Sequence, residues 1–228
     1  MKRGISILAI VTALLLSYAL YGALIGAPTE RTMGDVQRIF YYHVPSAWTA
    51  FLLFLINFVA SMIYLARRSV KADILALVSA EVGVVFCTVV LITGPIWARP
   101  VWGIWWAAGD IRLTTTLVLW LIYVSYLVLR RLSTSGQTPM IAAVLAVFGA
   151  LDVPLVYFSI WFFRTQHPSP VIGAGGSLAP RMWHVLLINW AAFLCLAWLV
   201  CWTRYRLEVA QREVEEAQAL ESLLEGSR

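Results

Sequence analysis

The chain has 228 residues, of which 61% are hydrophobic and 13% charged, with a formal net charge of +5. Soluble domains carry roughly 25% charged residues, so at a mean hydropathy of +0.80 this chain cannot cover its surface in water, and its solvent is lipid. The basic residues are scattered between apolar runs and form no stripe, which argues against a nucleic-acid-binding domain.

Six apolar runs are long enough to cross a hydrocarbon core of about 30 Å. They cover 6–25, 47–65, 74–96, 113–129, 140–163 and 185–202. The expected fold is an all-α integral membrane protein of six transmembrane helices, with residues 1–204 as one membrane domain. The run after Met1-Lys2-Arg3 exceeds the roughly 7–15 residues of a signal-peptide core, so it reads as a retained span. Lys2, Arg3, Arg67, Arg68, Lys71, Arg130, Arg131, Arg204 and Arg206 all fall on one side of these spans. The positive-inside rule makes that side cytoplasmic, together with both termini. Residues 205–228 are charged and helix-prone, and read as a solvated cytoplasmic tail with partner docking as the alternative.

Within the spans, Glu81 and Asp152 stand out, because carboxylates in hydrocarbon are costly. Glu81 is expected either to sit protonated or to pair with a polar neighbour such as Asn57 or Asn189. Asp152 lies two residues before Pro154, and is expected to answer hydrogen bonds released where proline breaks the helix. Cys87, Cys195 and Cys201 lie in apolar runs without CxxC or CxxCH spacing, so they read as small core residues rather than a disulfide, zinc or covalent haem site. No phosphate-binding loop occurs, so any ATP-driven step belongs to a partner.

The unusual residues collect in the three loops on the other side, 26–46, 97–112 and 164–183. Four of the 11 tryptophans, Trp97, Trp102, Trp105 and Trp106, crowd the second of these loops. An interfacial aromatic belt is one explanation. A flat aromatic ligand bearing carboxylates is the other: indole faces stack on it, and guanidinium groups pair with its charges. Arg38, Arg99, Arg112, Arg164 and Arg181 share that side, against the positive-inside trend. So do all three histidines, His43, His167 and His184. Paired histidines flanking a tryptophan-rich loop can supply both axial nitrogens of a haem iron. From the residues alone, belt and haem site both remain open.

Three segments carry a family resemblance. Tyr41-Tyr42-His43-Val44-Pro45-Ser46-Ala47-Trp48 precedes the second span. Trp102-Gly103-Ile104-Trp105-Trp106 is followed by Asp110-Ile111-Arg112-Leu113-Thr114. Arg164-Thr165-Gln166-His167-Pro168 follows the fifth span. Their content and order resemble the CcmC family of haem-handling membrane proteins in cytochrome c biogenesis, whose tryptophan-rich loop is the WWD segment. The resemblance implies haem b bound transiently at the outer face of the inner membrane, with His43 and His167 as axial ligands. It implies a platform of Trp102, Trp105, Trp106, Asp110 and Arg112, with Arg99, Arg38 and Arg164 beside it for the propionates. It also implies delivery to the haem chaperone CcmE, alongside CcmA, CcmB and CcmD, and a carrier rather than an enzyme.

One departure stands in the WWD segment. The family has Trp-Trp-x-Trp-Asp, whereas this chain has Trp105-Trp106-Ala107-Ala108-Gly109-Asp110. Altered edge contacts follow, with glycine permitting a tighter or positive-φ turn, and chaperone docking is the step affected. His184 lies outside the family pattern and reads as interfacial. The alternatives are a CcsA-like cytochrome c synthase component, a membrane b-type cytochrome and a permease. The first lacks its large soluble domain here, the second needs histidines facing each other inside the hydrocarbon, and the third needs internal repeats.

Overall fold

The structure is a computed structural model that describes residues 2–163, 165–168 and 178–226. These form seven helices: α1 (Lys2–Tyr21), α2 (Phe40–Arg67), α3 (Val70–Trp102), α4 (Ile111–Leu132), α5 (Thr138–Ala150), α6 (Asp152–Phe162) and α7 (Pro180–Gly226). A π turn over Gly22–Gly26 extends α1, a 3-10 turn over Asp35–Ile39 leads into α2, and the described residues contain no β-strand. Six helical segments are long and apolar enough to span a membrane. Large apolar side chains such as Ile7, Leu14, Leu55, Val85 and Phe148 face outward, as a lipid solvent requires. The protein is a multi-pass membrane protein.

Two of the expected boundaries differ from the sequence reading, each for a local reason. The fifth crossing is two helices, broken at Leu151. Pro154 has no N–H to give the carbonyl of Ala150, and its ring crowds that turn. What proline releases there is an acceptor, which a carboxylate cannot satisfy; Asp152 Oδ2 is buried with no hydrogen-bond partner among the described residues. The sixth crossing continues straight into the charged tail, because residues 203–226 are strong helix formers and hold neither glycine nor proline before Gly226. At about 1.5 Å per residue this 47-residue helix far exceeds the membrane thickness.

The centre of the bundle is the α2–α3 hairpin, closed by Arg68 in the left-handed conformation (φ 53°) and by Ser69 capping α3. Phe54 of α2 stacks on Tyr123 of α4 with ring centroids 3.9 Å apart. This packing needs Gly83, where a Cβ would fall 2.7 Å from Phe54 Cε1. Cys87 belongs to the same core, with Cys201 packed against it.

α7 runs antiparallel to α3 and is tied to it twice. Arg204 grips Glu81 with two bonds of 2.9 Å, and Arg212 reaches Asp73 at 2.9 Å. Glu81 therefore pairs with neither asparagine. Asn57 donates to the Ala76 carbonyl at 2.7 Å, and Asn189 to those of Val185 and Ala19. The cause is the continuity of α7, which carries arginines down the flank of α3. Asp73 also holds Arg130 at 2.5 and 2.8 Å, so α3, α4 and α7 meet at one buried carboxylate. This basic end of the bundle is opposite the end that carries the histidines.

Candidate functional site

His43 stands on the first turn of α2, and His167 on the loop after α6. Far apart in sequence, their rings lie 6.3 Å apart, centroid to centroid, and are inclined by 33°. Each imidazole is fixed through Nδ1. His43 Nδ1 is 2.9 Å from Thr93 Oγ1 on α3. That hydroxyl spends its one proton on the Val89 carbonyl at 2.7 Å, so it accepts from His43. His167 Nδ1 donates to the Pro168 carbonyl at 3.1 Å, which can only accept. Both rings thus carry their proton on Nδ1 and present Nε2 as a lone-pair donor. Gly94 brings α3 against the ring: a Cβ there would sit 3.5 Å from His43 Cε1.

Arg112, on the first turn of α4, lies close enough to both imidazoles to act on them electrostatically. Its Nη1 is buried and has no hydrogen-bond partner among the described residues. A buried guanidinium nitrogen without an acceptor is costly, although the Asp110 carboxylate already acts on this charge. Burial, and then the Arg112 charge, push His167 from its ordinary 6.5 down to about 4. The ring is therefore neutral and able to ligate at physiological pH. A folded-state value below the unfolded one means that the unfolded chain takes up a proton between pH 6.5 and 4 that the folded chain refuses. The protein is thus expected to lose stability as pH falls through that window. Thermal melts in detergent should show a flatter pH slope for His167→Ala than for the parent.

The loop between α3 and α4 is built by its ends. α3 continues through Trp97 and Trp102, whose rings meet edge to face at 5.2 Å, and stops at Gly103 with φ 78°. Arg99 donates to the Gly103 carbonyl and closes that turn. Trp105 is 60% exposed and Trp106 half-buried. The Ala107-Ala108-Gly109-Asp110 departure folds as a tight turn, with the Asp110 N–H donating to the Ala107 carbonyl at 2.9 Å. The positive φ falls at Gly103 and not at Gly109.

Asp110 is 4% exposed and caps α4. Its Oδ1 accepts from the N–H groups of Arg112 (3.0 Å) and Leu113 (3.2 Å). Its Oδ2 accepts from the Thr165 hydroxyl and from the Gln166 N–H at 2.9 Å. Burial alone would raise this carboxyl, but the bonds from Thr165, Leu113 and Gln166 outweigh it and hold it below the usual carboxylate range. An open cleft of about 330 Å³, lined by Ala107, Gly109, Asp110, Thr165 and Gln166, lies where the two loops meet.

The remaining candidates are placed elsewhere or outside the description. Arg38 is committed to its own loop, bonded to Asp35, to the carbonyls of Ala23 and Ala27 and to Thr29. His184 meets the Tyr18 hydroxyl at 3.2 Å, between α7 and α1. Arg164 lies outside the described residues. Thr93 and Thr165 escaped the sequence reading. Thr93 is one polar residue in a long apolar run and gives no signal by itself, whereas Thr165 sits inside a recognised motif.

A CcmC profile, described as Heme exporter protein C, matches residues 1–220. The chain belongs to the CcmC family. It is 33% identical over 218 residues to Heme exporter protein C of Bradyrhizobium diazoefficiens, covering 94% of this chain and 82% of that one. Heme exporter protein C of Paracoccus denitrificans is 30% identical over 199 residues, 86% of this chain and 82% of the relative. A ccmC-like mitochondrial protein of Marchantia polymorpha, named for cytochrome c biosynthesis, is 29% identical over 183 residues, 80% and 78% of the two chains. In this CcmC-family chain, the match spans all the helices that carry His43, Thr93, Arg112 and the loop of His167.

Proposed function

We propose that this protein binds haem between His43 and His167 on the outer face of the cytoplasmic membrane and hands it on during c-type cytochrome maturation. The observation that carries the reading is the pair of imidazoles themselves. Each is pinned through Nδ1 and offers Nε2, and the rings are 6.3 Å apart. A metal bonded by one nitrogen of each ring at about 2 Å separates the ring centres by roughly 6 Å. The buried Nη1 of Arg112, unpartnered among the described residues, supports a carboxylate-bearing ligand in the same place, which suits a propionate. The names of the relatives agree: those matched are haem exporters and a protein of cytochrome c biosynthesis.

The residues then divide the work. Thr93 and the Pro168 carbonyl keep both rings in one tautomer, so ligation costs no proton. Arg112 orients the cargo by its charge. Trp105 leaves an indole exposed beside the site, where a soluble acceptor can reach it. Nothing in this set breaks a bond, and the role is carriage and loading of a chaperone, with CcmE as acceptor and CcmA, CcmB and CcmD as membrane partners. Arg67, Arg68, Lys71, Arg130 and Arg131 at the other end of the bundle support a cytoplasmic position for that end and for both termini.

The test is an absorption spectrum of the detergent-purified protein, supplied with haem and produced with the chaperone. The parent and His184→Ala are expected to give a six-coordinate, low-spin haem spectrum that His43→Ala and His167→Ala lose. Full occupancy and an unchanged spectrum in both of the latter variants would overturn the assignment.

A further inference from the structure

Asp110 belongs to the segment that marks the family, yet its geometry leaves it little to offer a ligand. An ionised carboxylate is an acceptor only, with about four lone-pair positions. All of them are engaged: two by the first N–H groups of α4, and two by the loop that follows α6. It is buried, and its negative charge would repel a propionate. Contact with the porphyrin edge is therefore a poor use of this group.

The second oxygen shows what it does. A helix cap needs one side-chain acceptor, and Oδ1 fills that need alone. Oδ2 is given wholly to Thr165 and Gln166, on a different segment of chain. Thr165 Oγ1, having donated its proton to Asp110, accepts the backbone N–H of His167 at 3.1 Å. An unbroken path thus runs from the start of α4 through one carboxylate and one hydroxyl to the main chain of His167. The same carboxylate fixes the turn that bears Arg112. His43 needs no such device, because it stands on a helix and is braced by Thr93; His167 stands on a loop.

We infer that Asp110 is a positioning residue for His167: acting through Thr165, it clamps the loop to the cap of α4 and sets His167 opposite His43 and beside Arg112. This rests on the ligand pair proposed above. The altered Ala107-Ala108-Gly109 stretch is compatible with the clamp, since the tight turn from Ala107 still delivers Asp110 to the helix start.

Thr165→Val keeps the shape of the side chain and leaves the cap intact while removing the hydroxyl. Asp110→Asn keeps one oxygen for the cap and loses the second acceptor. Thr165→Ser is the rescue, since it retains the hydroxyl. In haem-free protein, hydrogen exchange at Gln166 and His167 is expected to quicken at least tenfold in the first two variants and to stay at the parental rate in Thr165→Ser. With haem supplied, Thr165→Val and Asp110→Asn are expected to shift the spectrum from six-coordinate to five-coordinate. They should release haem roughly 10- to 100-fold faster, as loss of an outer-sphere partner does at metal sites, and added imidazole should restore the low-spin form. Unchanged exchange in Thr165→Val would overturn the clamp. So would faster exchange with parental spectrum and release, because the loop would then be held for another purpose. His167→Ala separates the two ideas: if its spectrum is parental, the ligand reading fails, whereas a changed His167→Ala spectrum with parental Thr165→Val and Asp110→Asn sinks the positioning role alone.

Discussion

Replacing Asp73 with alanine is expected to destabilise the protein by roughly 3–5 kcal/mol, the cost of stripping a buried cation of its partner. Asp73 is 2% exposed and is shared by Arg130 and Arg212. Arg130 also lies over the Tyr126 ring at 5.7 Å, in a setting that leaves it little water. Without the carboxylate, Arg130 loses its ion partner in a buried setting, and only Arg212 keeps another, Glu208 at 3.1 Å. Unfolding by denaturing detergent in mixed micelles would measure the loss. The triple variant Asp73→Ala/Arg130→Met/Arg212→Met is expected to regain most of the stability, because exchanging a whole buried ion set for apolar groups is close to neutral. A cost below about 1 kcal/mol for Asp73→Ala would mean that the cluster is solvated, as exposed pairs are. The consequence reaches the end that carries the histidines. α3 starts at this carboxylate and carries Thr93 and Gly94 at its far end, so a loosened α3 would release the brace on His43.

Arg112→Met is expected to move stability and haem retention in opposite directions. Among the described residues Arg112 Nη1 is buried without an acceptor, a defect worth about 1–3 kcal/mol for a polar group and more for a charged one. A methionine fills similar space without that need, so the haem-free variant is expected to match the parent or to exceed it by about 1 kcal/mol. Charge-assisted bonds to a propionate contribute about 1.5–3 kcal/mol, so haem release from the variant is expected to be roughly 10- to 100-fold faster. Melting of the haem-free protein and stopped-flow transfer to a haem acceptor would read the two effects separately. A destabilised variant that keeps haem as well as the parent would make Arg112 a structural residue. The pattern expected here is that of a binding site, which holds a defect that its ligand repairs.

The membrane class, the number of crossings and the end at which the unusual residues gather were all legible in the sequence. Lipid exposure demands long apolar runs, and basic residues mark one set of loops. The three motifs were legible too, because each is a short contiguous string. What lay outside the sequence was every relation between segments. Apolar periodicity in a lipid-facing helix says little about which neighbour it touches, since lipid and protein ask for the same side chains. That is why Glu81 read as a candidate for Asn57 or Asn189, when the uninterrupted α7 brings Arg204 to it instead.

The site shows the same division. Composition and motif singled out His43, His167, Arg112 and Asp110, since histidine, arginine and aspartate are conspicuous in a chain that is mostly aliphatic. Only the tertiary structure shows how they are arranged. It set the two rings 6.3 Å apart, turned both Nδ1–H groups toward fixed acceptors, and left Arg112 Nη1 without a hydrogen-bond partner among the described residues. It also sent Arg38 to tie its own loop. Asp110 was visible as a letter, but whether a carboxylate meets a ligand or fastens a loop depends on which donors surround it. Those donors, Thr165 and Gln166, come from a segment that only the packing of α4 against α6 brings within hydrogen-bond reach.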